Sequence, residues 1–143
     1  MKKFFIFLSL LLITGCNLPF SNKKVGVKCD EPAAVSLAEK IFNDYTKKDF
    51  KVKIDTSNIV EWDYKDGRFL CKAKIIPTTY NKKLSFFDKA IYEKYGFTFT
   101  EDKVKGWVYY QTYLTTQNMK KLKEGKDYSF YVQIEKTNDI PDF

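Results

Sequence analysis

The sequence predicts a single α+β domain, in which an N-terminal helix packs on one face of an antiparallel sheet of four to five strands and a second short helix is inserted. One early segment spaces its apolar residues as a helix does, whereas most later segments alternate between apolar and polar residues. These later segments follow one another as strands, which favours an antiparallel sheet with a helix on one face. At 143 residues the chain has room for one such domain.

The first helix is expected from about residue 31 to residue 47. Asp30 is a candidate N-cap, and Pro32 suits the first turn because no helical partner is needed there for its missing N–H. The apolar residues form one broad stripe, which we expect to face the sheet rather than a partner helix. The stripe consists of Ala34, Val35, Leu37, Ala38, Ile41, Phe42 and Tyr45.

A β-hairpin is the clearest feature after this helix. Residues 59–64 and 69–75 alternate on either side of Asp66 and Gly67, a dipeptide typical of a type I′ turn. The turn fixes the register of the two strands and directs Cys71 toward the helix. The expected opposed pairs are Tyr64 with Phe69, Trp62 with Cys71, Val60 with Ala73 and Glu61 with Lys72.

A second helix is expected over residues 84–96, because Ser85 can cap it and Gly96 can end it. Its predicted buried face carries Phe87, Ala90, Ile91 and Tyr95. The other expected elements are a short strand over 50–54, a turn cluster over 55–58, and strands over 97–100, 107–116 and 128–135.

The order of these elements resembles the cystatin-like and NTF2-like rolls, in which a helix lies across a curved sheet. Rolls of this shape often hold a cavity between helix and sheet, where a small apolar or glycan ligand could bind. The resemblance concerns architecture alone, because one fold hosts many functions.

The N-terminus has the pattern of an export signal. Lys2 and Lys3 precede an apolar run over residues 4–13 that only Ser9 interrupts. The run is shorter than the roughly 20 apolar residues that span a bilayer. A basic start followed by a short apolar segment is typical of a secretory signal peptide.

The end of this segment, Ile13-Thr14-Gly15-Cys16, resembles the lipobox of bacterial lipoproteins. The resemblance implies that the Cys16 thiol is alkylated by diacylglycerol and that cleavage before it makes Cys16 the first residue. An ordinary secretory signal, or an anchor helix with an incidental cysteine, is the alternative. One acyl chain gives only marginal membrane binding, so more than one chain is required.

The resemblance also implies an organisation and a location. Residues 1–15 are the expected signal peptide, 16–27 a lipidated tether, 28–137 the single domain and 138–143 a frayed tail. Asn17 follows the lipobox cysteine, where an aspartate usually favours the inner membrane. The expected location is therefore the bacterial cell envelope, anchored in the outer membrane and facing the periplasm.

The two remaining cysteines, Cys29 and Cys71, predict one disulfide because export places the chain in an oxidising compartment. Free thiols are the alternative. The sequence contains neither a Cys-x-x-Cys motif nor any histidine, so a redox motif and the commonest metal ligand are missing. We therefore expect no metal and no cofactor.

Charge and motifs argue against nucleic-acid binding and against catalysis. The net charge of +7 is carried by 24 lysines and by Arg68 alone, whereas nucleic-acid recognition relies on arginine. It falls to +5 when Lys2 and Lys3 are removed. Catalytic schemes with a histidine base are excluded, and the carboxylates of Glu61 and Asp63 are expected on a solvated strand face.

Aromatic residues offer the best candidate for a functional surface. Trp107, Tyr109 and Tyr113 share one face of a predicted strand, and Tyr131 adds a ring on the polar side of the next strand. Aromatic surfaces of this kind mark interaction sites, unless the insertion 77–96 folds over them. The sequence thus predicts a non-enzymatic envelope lipoprotein that binds a protein or cell-wall partner. A periplasmic module that binds a small apolar or glycan ligand is the alternative.

Overall fold

The computed structural model describes residues 24–137 and confirms the predicted α+β class. Three helices accompany one antiparallel sheet of five strands. The predicted signal peptide, Cys16 and the tail 138–143 lie outside the described residues. The elements are α1 (Pro32–Thr46), β1 (Ile54–Lys65), β2 (Arg68–Ile75), α2 (Phe86–Glu93), β3 (Phe97–Phe99), β4 (Val104–Tyr113), α3 (Thr116–Lys123) and β5 (Tyr131–Glu135).

The sheet is built around β4, which pairs with three other strands. Along one edge β4 pairs with β2, which in turn pairs with β1. Along its other edge β4 pairs first with β3, through Val104 to Gly106, and then with β5, through Tyr109 to Tyr113. All pairings are antiparallel, as the run of strands in the sequence predicts.

Helix α1 packs on one face of this sheet through the predicted stripe. Ala34, Val35, Ala38 and Phe42 are all buried in α1. The N-cap position is Glu31, which makes no side-chain capping bond, so the prediction that Asp30 caps the helix is wrong. The Glu31 N–H donates to the Lys28 carbonyl at 3.2 Å, and this turn leaves Asp30 outside the helix.

The hairpin has the predicted turn but only part of the predicted register. Asp66 and Gly67 both have positive φ, as a type I′ turn requires. Tyr64 lies opposite Phe69 as predicted, but a register shift follows between Asp63 and Glu61. Because a bulge adds one residue to one strand, it turns the following side chains to the other face.

The bulge at Trp62 overturns three of the predicted pairs. Glu61, not Trp62, lies opposite Cys71, and Val60 lies opposite Lys72 instead of Ala73. Ile59 takes the place opposite Ala73 and packs against the core. Trp62 and Val60 are exposed, and the Glu61 carboxylate pairs with the Lys24 ammonium.

A second irregularity lies earlier in β1, where the sequence predicts a turn cluster. The strand continues through residues 55–58, but its register shifts between Ile54 and Ile59. The Asp55 carboxylate accepts hydrogen bonds from Ser57 and Asn58, and these bonds hold the pKa of Asp55 below its usual value. Of the predicted strand 50–54, Phe50 forms only an isolated bridge to Tyr80.

Helix α2 is present and capped as predicted, but it buries a different face. The Asp88 N–H donates to the Ser85 hydroxyl at 3.1 Å. Tyr92 is the buried residue of the helix, whereas Phe87 and Ile91, predicted to be core residues, are exposed. The cause is long-range, because the Tyr92 hydroxyl donates to the Asp49 carboxylate at 2.5 Å and thereby fixes the rotation of α2.

Aromatic rings fill the space beneath the C-terminal half of α1. The Phe97 ring lies 5.9 Å from that of Phe42 and 4.9 Å from that of Phe50, edge to face in both cases. Tyr45 contacts both Tyr92 and Tyr95, and burial raises the pKa of Tyr45 to about 12. This packing connects α1, α2 and β3 at one end of the domain.

The segment before α1 is fastened to the opposite end of the sheet. Cys29 and Cys71 form the predicted disulfide, with their Sγ atoms 2.05 Å apart. The Tyr110 hydroxyl donates to the Cys29 carbonyl at 2.8 Å, and burial raises the pKa of Tyr110. Further along, the Thr112 hydroxyl donates to the Val27 carbonyl.

The domain therefore begins earlier than residue 28, the boundary that the sequence predicts. The Tyr64 hydroxyl donates to the Val25 carbonyl at 2.8 Å and accepts from the Val25 N–H at 2.9 Å. Val27 is buried and packs with Ala34 and Leu114. Residues 25–27, assigned to the tether from the sequence, are part of the folded unit.

Removing the disulfide tests how strongly it holds α1 to the sheet. The double variant Cys29→Ala/Cys71→Ala is expected to lose about 4 kcal/mol of unfolding free energy, because it opens a loop of roughly 43 residues in the unfolded chain. Urea unfolding measures this loss. Reduction should destabilise the wild type and leave the variant unchanged, and equal stabilities of the two oxidised proteins would contradict the role we assign.

A second test concerns the close approach of β3 to β4. A Cβ on Gly96 would lie 1.8 Å from the Trp107 carbonyl oxygen, and Gly96 has a φ of +102°. Gly96→Ala is expected to cost about 3 kcal/mol or more in unfolding free energy.

Gly125 provides the matched control for Gly96. It also has positive φ, but no atom lies within 4 Å of the place that its Cβ would take. Gly125→Ala should lower the unfolding free energy by only about 1 kcal/mol, because it adds the cost of a positive φ without a steric clash. Thermal unfolding of both variants checks the difference, and equal losses would refute the steric explanation.

Candidate functional site

The four aromatic residues predicted as an interaction surface lie on the sheet face opposite α1. Along β4, Val108, Tyr110 and Thr112 are buried on the α1 side, so the residues between them point to the other side. We call this surface the open sheet face. It consists of Arg68, Leu70 and Lys72 of β2, Trp107, Tyr109, Gln111 and Tyr113 of β4, and Tyr131, Gln133 and Glu135 of β5.

The helices and the insertion pack on the other side of the sheet. Tyr80, Leu84 and Tyr92, the buried residues of segment 77–96, belong to the core beneath α1. In α3, Met119 and Leu122 pack against the cluster that contains Val27 and Ala34. Within residues 24–137 the open sheet face therefore has no helix over it.

The centre of the open sheet face is closed to solvent. Leu70 and Gln111, at its centre, are only 2% and 3% exposed. Trp107, Tyr109 and Tyr113 are half-buried, and Tyr131 is 47% exposed. The rings therefore rest against the sheet around a closed centre and present their outer surfaces to solvent.

A chain of hydrogen bonds crosses the centre of this face and links three strands. An Arg68 N–H donates to the side-chain oxygen of Gln111 at 2.8 Å, and the Gln111 amide donates to the Glu135 carboxylate. Gln111 and Glu135 are both buried. A buried polar chain of this kind fixes the orientation of each member, because each loses a partner if another moves.

Planar groups stack beside this chain. The guanidinium of Arg68 lies 4.9 Å from the centre of the Tyr113 ring, which in turn stacks on the Tyr131 ring at 5.1 Å. The Lys72 ammonium lies 5.3 Å from the centre of the Trp107 ring. Both contacts are of the cation–π type, and they place positive charge among the rings.

This arrangement can bind an acidic group beside apolar surface. A guanidinium has five N–H donors in a planar fork that matches a carboxylate, and Arg68 uses one of them for Gln111. Lys72 of β2 adds a positive charge beside the Trp107 ring, whereas the Glu135 carboxylate is buried in its bond to Gln111. The exposed part of the face is thus both aromatic and positively charged.

Sequence reasoning placed the four rings on a surface but assigned no role there to Arg68, Gln111 or Glu135. Arg68 stands out in the sequence as the single arginine, but it sits at the end of a hairpin turn. Its neighbours across the sheet, Tyr113 and Gln111, follow only from the β2–β4 register. No local pattern in the sequence indicates that register.

Two other kinds of site have weaker support. A cleft of about 200 Å³ lies beside the disulfide and is lined by Lys28, Cys29, Asp30, Ile59 and Glu61. It is smaller than the usual 300 to 1,000 Å³ or so of ligand pockets. The region between α1 and the sheet, where a roll could hold a ligand, is filled by buried rings such as Phe42, Phe97 and Tyr110.

Residues 24–137 contain neither a cluster of metal-ligating side chains nor a membrane-spanning helix. In that part of the chain no three side chains of the types His, Cys, Asp and Glu come together as metal ligands do. No helix there has both the length and the apolar character needed to cross a bilayer.

A separate apolar patch lies on α2. Phe86, Phe87 and Ile91 are exposed on the side of the helix opposite Tyr92. Sequence reasoning missed this surface because the spacing of Phe87 and Ile91 is that of a core-facing stripe.

Comparison with known proteins gives no relative for the chain: no protein-family model, no curated protein and no solved structure matches it.

Proposed function

We propose that this chain is a bacterial envelope lipoprotein, anchored through acylated Cys16, whose domain binds an acidic protein surface through the open sheet face. The observation that carries the proposal is the group of partly exposed rings around Arg68, on a sheet face over which no helix of residues 24–137 lies. The domain acts by binding and performs no catalysis. Its place is the periplasmic face of the outer membrane.

The composition of the face supports a protein partner. Tyr, Trp and Arg are the residues that most often contribute large binding energies in protein interfaces. Here Arg68, Tyr113 and Tyr131 are stacked, so little side-chain freedom remains to be lost on binding. Their preorganisation favours affinity, and the positive charge selects an acidic surface.

A cell-wall glycan is the second candidate for the same face. Sugars stack on exposed aromatic rings, and the Tyr113–Tyr131 pair offers such a surface. We favour the protein because Arg68 and Lys72 add positive charge at the rings, which a neutral sugar does not require. The other alternative, a small ligand between helix and sheet, has less support because that space is filled.

The lipid anchor is tested by acylation in the producing bacterium. Wild-type protein is expected to incorporate labelled palmitate and to migrate as the processed form, because Cys16 provides the only thiol of the lipobox. Cys16→Ser should lose the label. Cys29→Ser/Cys71→Ser should keep it, and a Cys16→Ser variant that retains the label would exclude the anchor.

The open sheet face is tested by capture of partners from detergent-solubilised envelopes with the lipidated protein. Arg68→Ala and Tyr131→Ala are each expected to reduce recovery of the specific partner at least about 10-fold, because truncating a central interface residue typically costs more than about 1.4 kcal/mol. Arg68→Lys should recover less than the wild type because it keeps the charge and loses the planar fork.

Tyr128→Ala is the matched control, since Tyr128 is an equally exposed tyrosine outside the open sheet face. It should recover the partner as the wild type does. Circular dichroism must show that each variant is folded. Equal recovery by wild type, Arg68→Ala and Tyr131→Ala would exclude this face, and specific retention of the protein on purified peptidoglycan alone would favour the glycan.

A further inference from the structure

The apolar patch on α2 is the most exposed hydrophobic surface of the described residues. Phe86 and Phe87 are 80% and 78% exposed, and Ile91 is 47% exposed. The two rings lie side by side, with their centres 6.1 Å apart. Exposed apolar patches mark interaction sites, because leaving them in water is unfavourable.

The patch is held rigidly. The Ser85 cap fixes the first turn of α2, where both phenylalanines lie. On the opposite side of the helix, Tyr92 packs against Phe50 and donates to Asp49. The rings therefore protrude from a short helix that is fixed in the domain.

The size and shape of the patch indicate its occupant. Its three side chains expose on the order of 400 Å², about half of the 800 Å² that each partner of a stable protein complex buries. The patch is also convex, since it is the outer side of a helix. A second copy of the chain would gain little from so small a convex contact, whereas a bilayer interface accepts protruding rings without a complementary pocket.

We propose that Phe86, Phe87 and Ile91 insert into the phospholipid interface of the membrane that holds the Cys16 anchor. Of the two lysines just before α2, Lys82 donates to the Glu101 carbonyl and lies over the Tyr80 ring, whereas Lys83 is exposed and provides a positive charge for a lipid headgroup. The inference rests on the proposed lipoprotein function for its membrane, but the patch itself is observed independently of the anchor.

The position of the patch is compatible with the anchor. Lys24 lies at the hairpin end of the domain, and α2 lies near the other end of α1, which is about 22 Å long. The eight steps from Cys16 to Lys24 span at most about 28 Å. The domain consequently stays close enough to the bilayer for α2 to reach it.

Two-point attachment would also orient the domain. Helix α2 contacts Tyr45 of α1, so it lies on the helical side of the sheet. With α2 in the interface, the lipid contacts the helical side of the domain, and the open sheet face lies on the other side of the sheet. Arg68 and Tyr131 are then accessible to a partner in the periplasm.

An environment-sensitive fluorophore at position 87 tests the insertion. In the oxidised, lipidated protein Cys16 is acylated and Cys29 and Cys71 are paired, so a Phe87→Cys substitution provides a single thiol for labelling. The labelled protein is added to preformed vesicles of phosphatidylethanolamine and phosphatidylglycerol. We expect a blue shift and quenching by lipids that carry a spin label on the acyl chain, both reduced by an added Phe86→Ser.

Val60→Cys is the matched control, because Val60 is exposed on β1 opposite Lys72 of the open sheet face. Its label should keep the emission of an aqueous site. Identical emission at positions 87 and 60 on vesicle-bound protein would overturn the proposal. So would a dimer in sedimentation that Phe87→Ser dissolves, or a blue shift that appears only when envelope proteins are added.

These experiments distinguish a failure of the proposed lipid anchor from a failure of the proposed insertion of α2. Palmitate incorporation reports on Cys16, whereas emission at position 87 reports on α2. If the protein carries the lipid but the label stays aqueous, only the insertion is excluded. If the protein lacks the lipid, Cys16→Ser is added so that position 87 keeps the single free thiol. A blue shift with the same vesicles then still supports the α2 contact, and its absence excludes that contact as well.

Discussion

The domain depends on the way its N-terminal segment is tied to the two central strands. Tyr110 of β4 lies opposite Cys71 of β2, and the two reach the same residue, Cys29, one through a hydrogen bond and the other through the disulfide. Cys29 lies just before α1, so this double attachment fixes where the helix begins. The buried stripe of α1 then packs into the core on this side of the sheet, where β5 and β1 are the strands that come nearest to the helix.

This attachment also separates the two sides of the sheet. The stripe of α1, Tyr92 of α2 and Met119 of α3 all pack on the side to which Cys71 points. The other side lacks a helix in the described part of the chain, although Leu70, Gln111 and Glu135 at its centre are buried. Arg68 is held there by Gln111 and Tyr113, so its positively charged guanidinium has a fixed orientation on this face. This segregation of the helices leaves exposed the sheet face that we propose as the binding surface.

Features set by neighbouring residues were predictable from the sequence, and features set by distant contacts were not. The Asp66-Gly67 turn and the Ser85 cap depend on a few adjacent residues. The pairing of Cys29 with Cys71 was predictable because these are the two cysteines that remain once Cys16 is assigned to the lipid anchor. In contrast, the rotation of α2 is set by Tyr92 and Asp49, which are 43 residues apart in sequence. The bulge at Trp62 and the side-chain hydrogen bonds that join Arg68, Gln111 and Glu135 were not predictable for the same reason, since both arise where separate strands meet.

The incorrect prediction for α2 has a physical explanation that bears on function. An amphipathic helix normally buries its apolar stripe, and Phe87 and Ile91 have the spacing of such a stripe. The hydrogen bond from Tyr92 to Asp49 and the contacts of Tyr92 with Phe50 and Phe97 hold the helix in a different rotation. Apolar surface that could have joined the core remains outside it. The membrane contact that we propose would remove this surface from water.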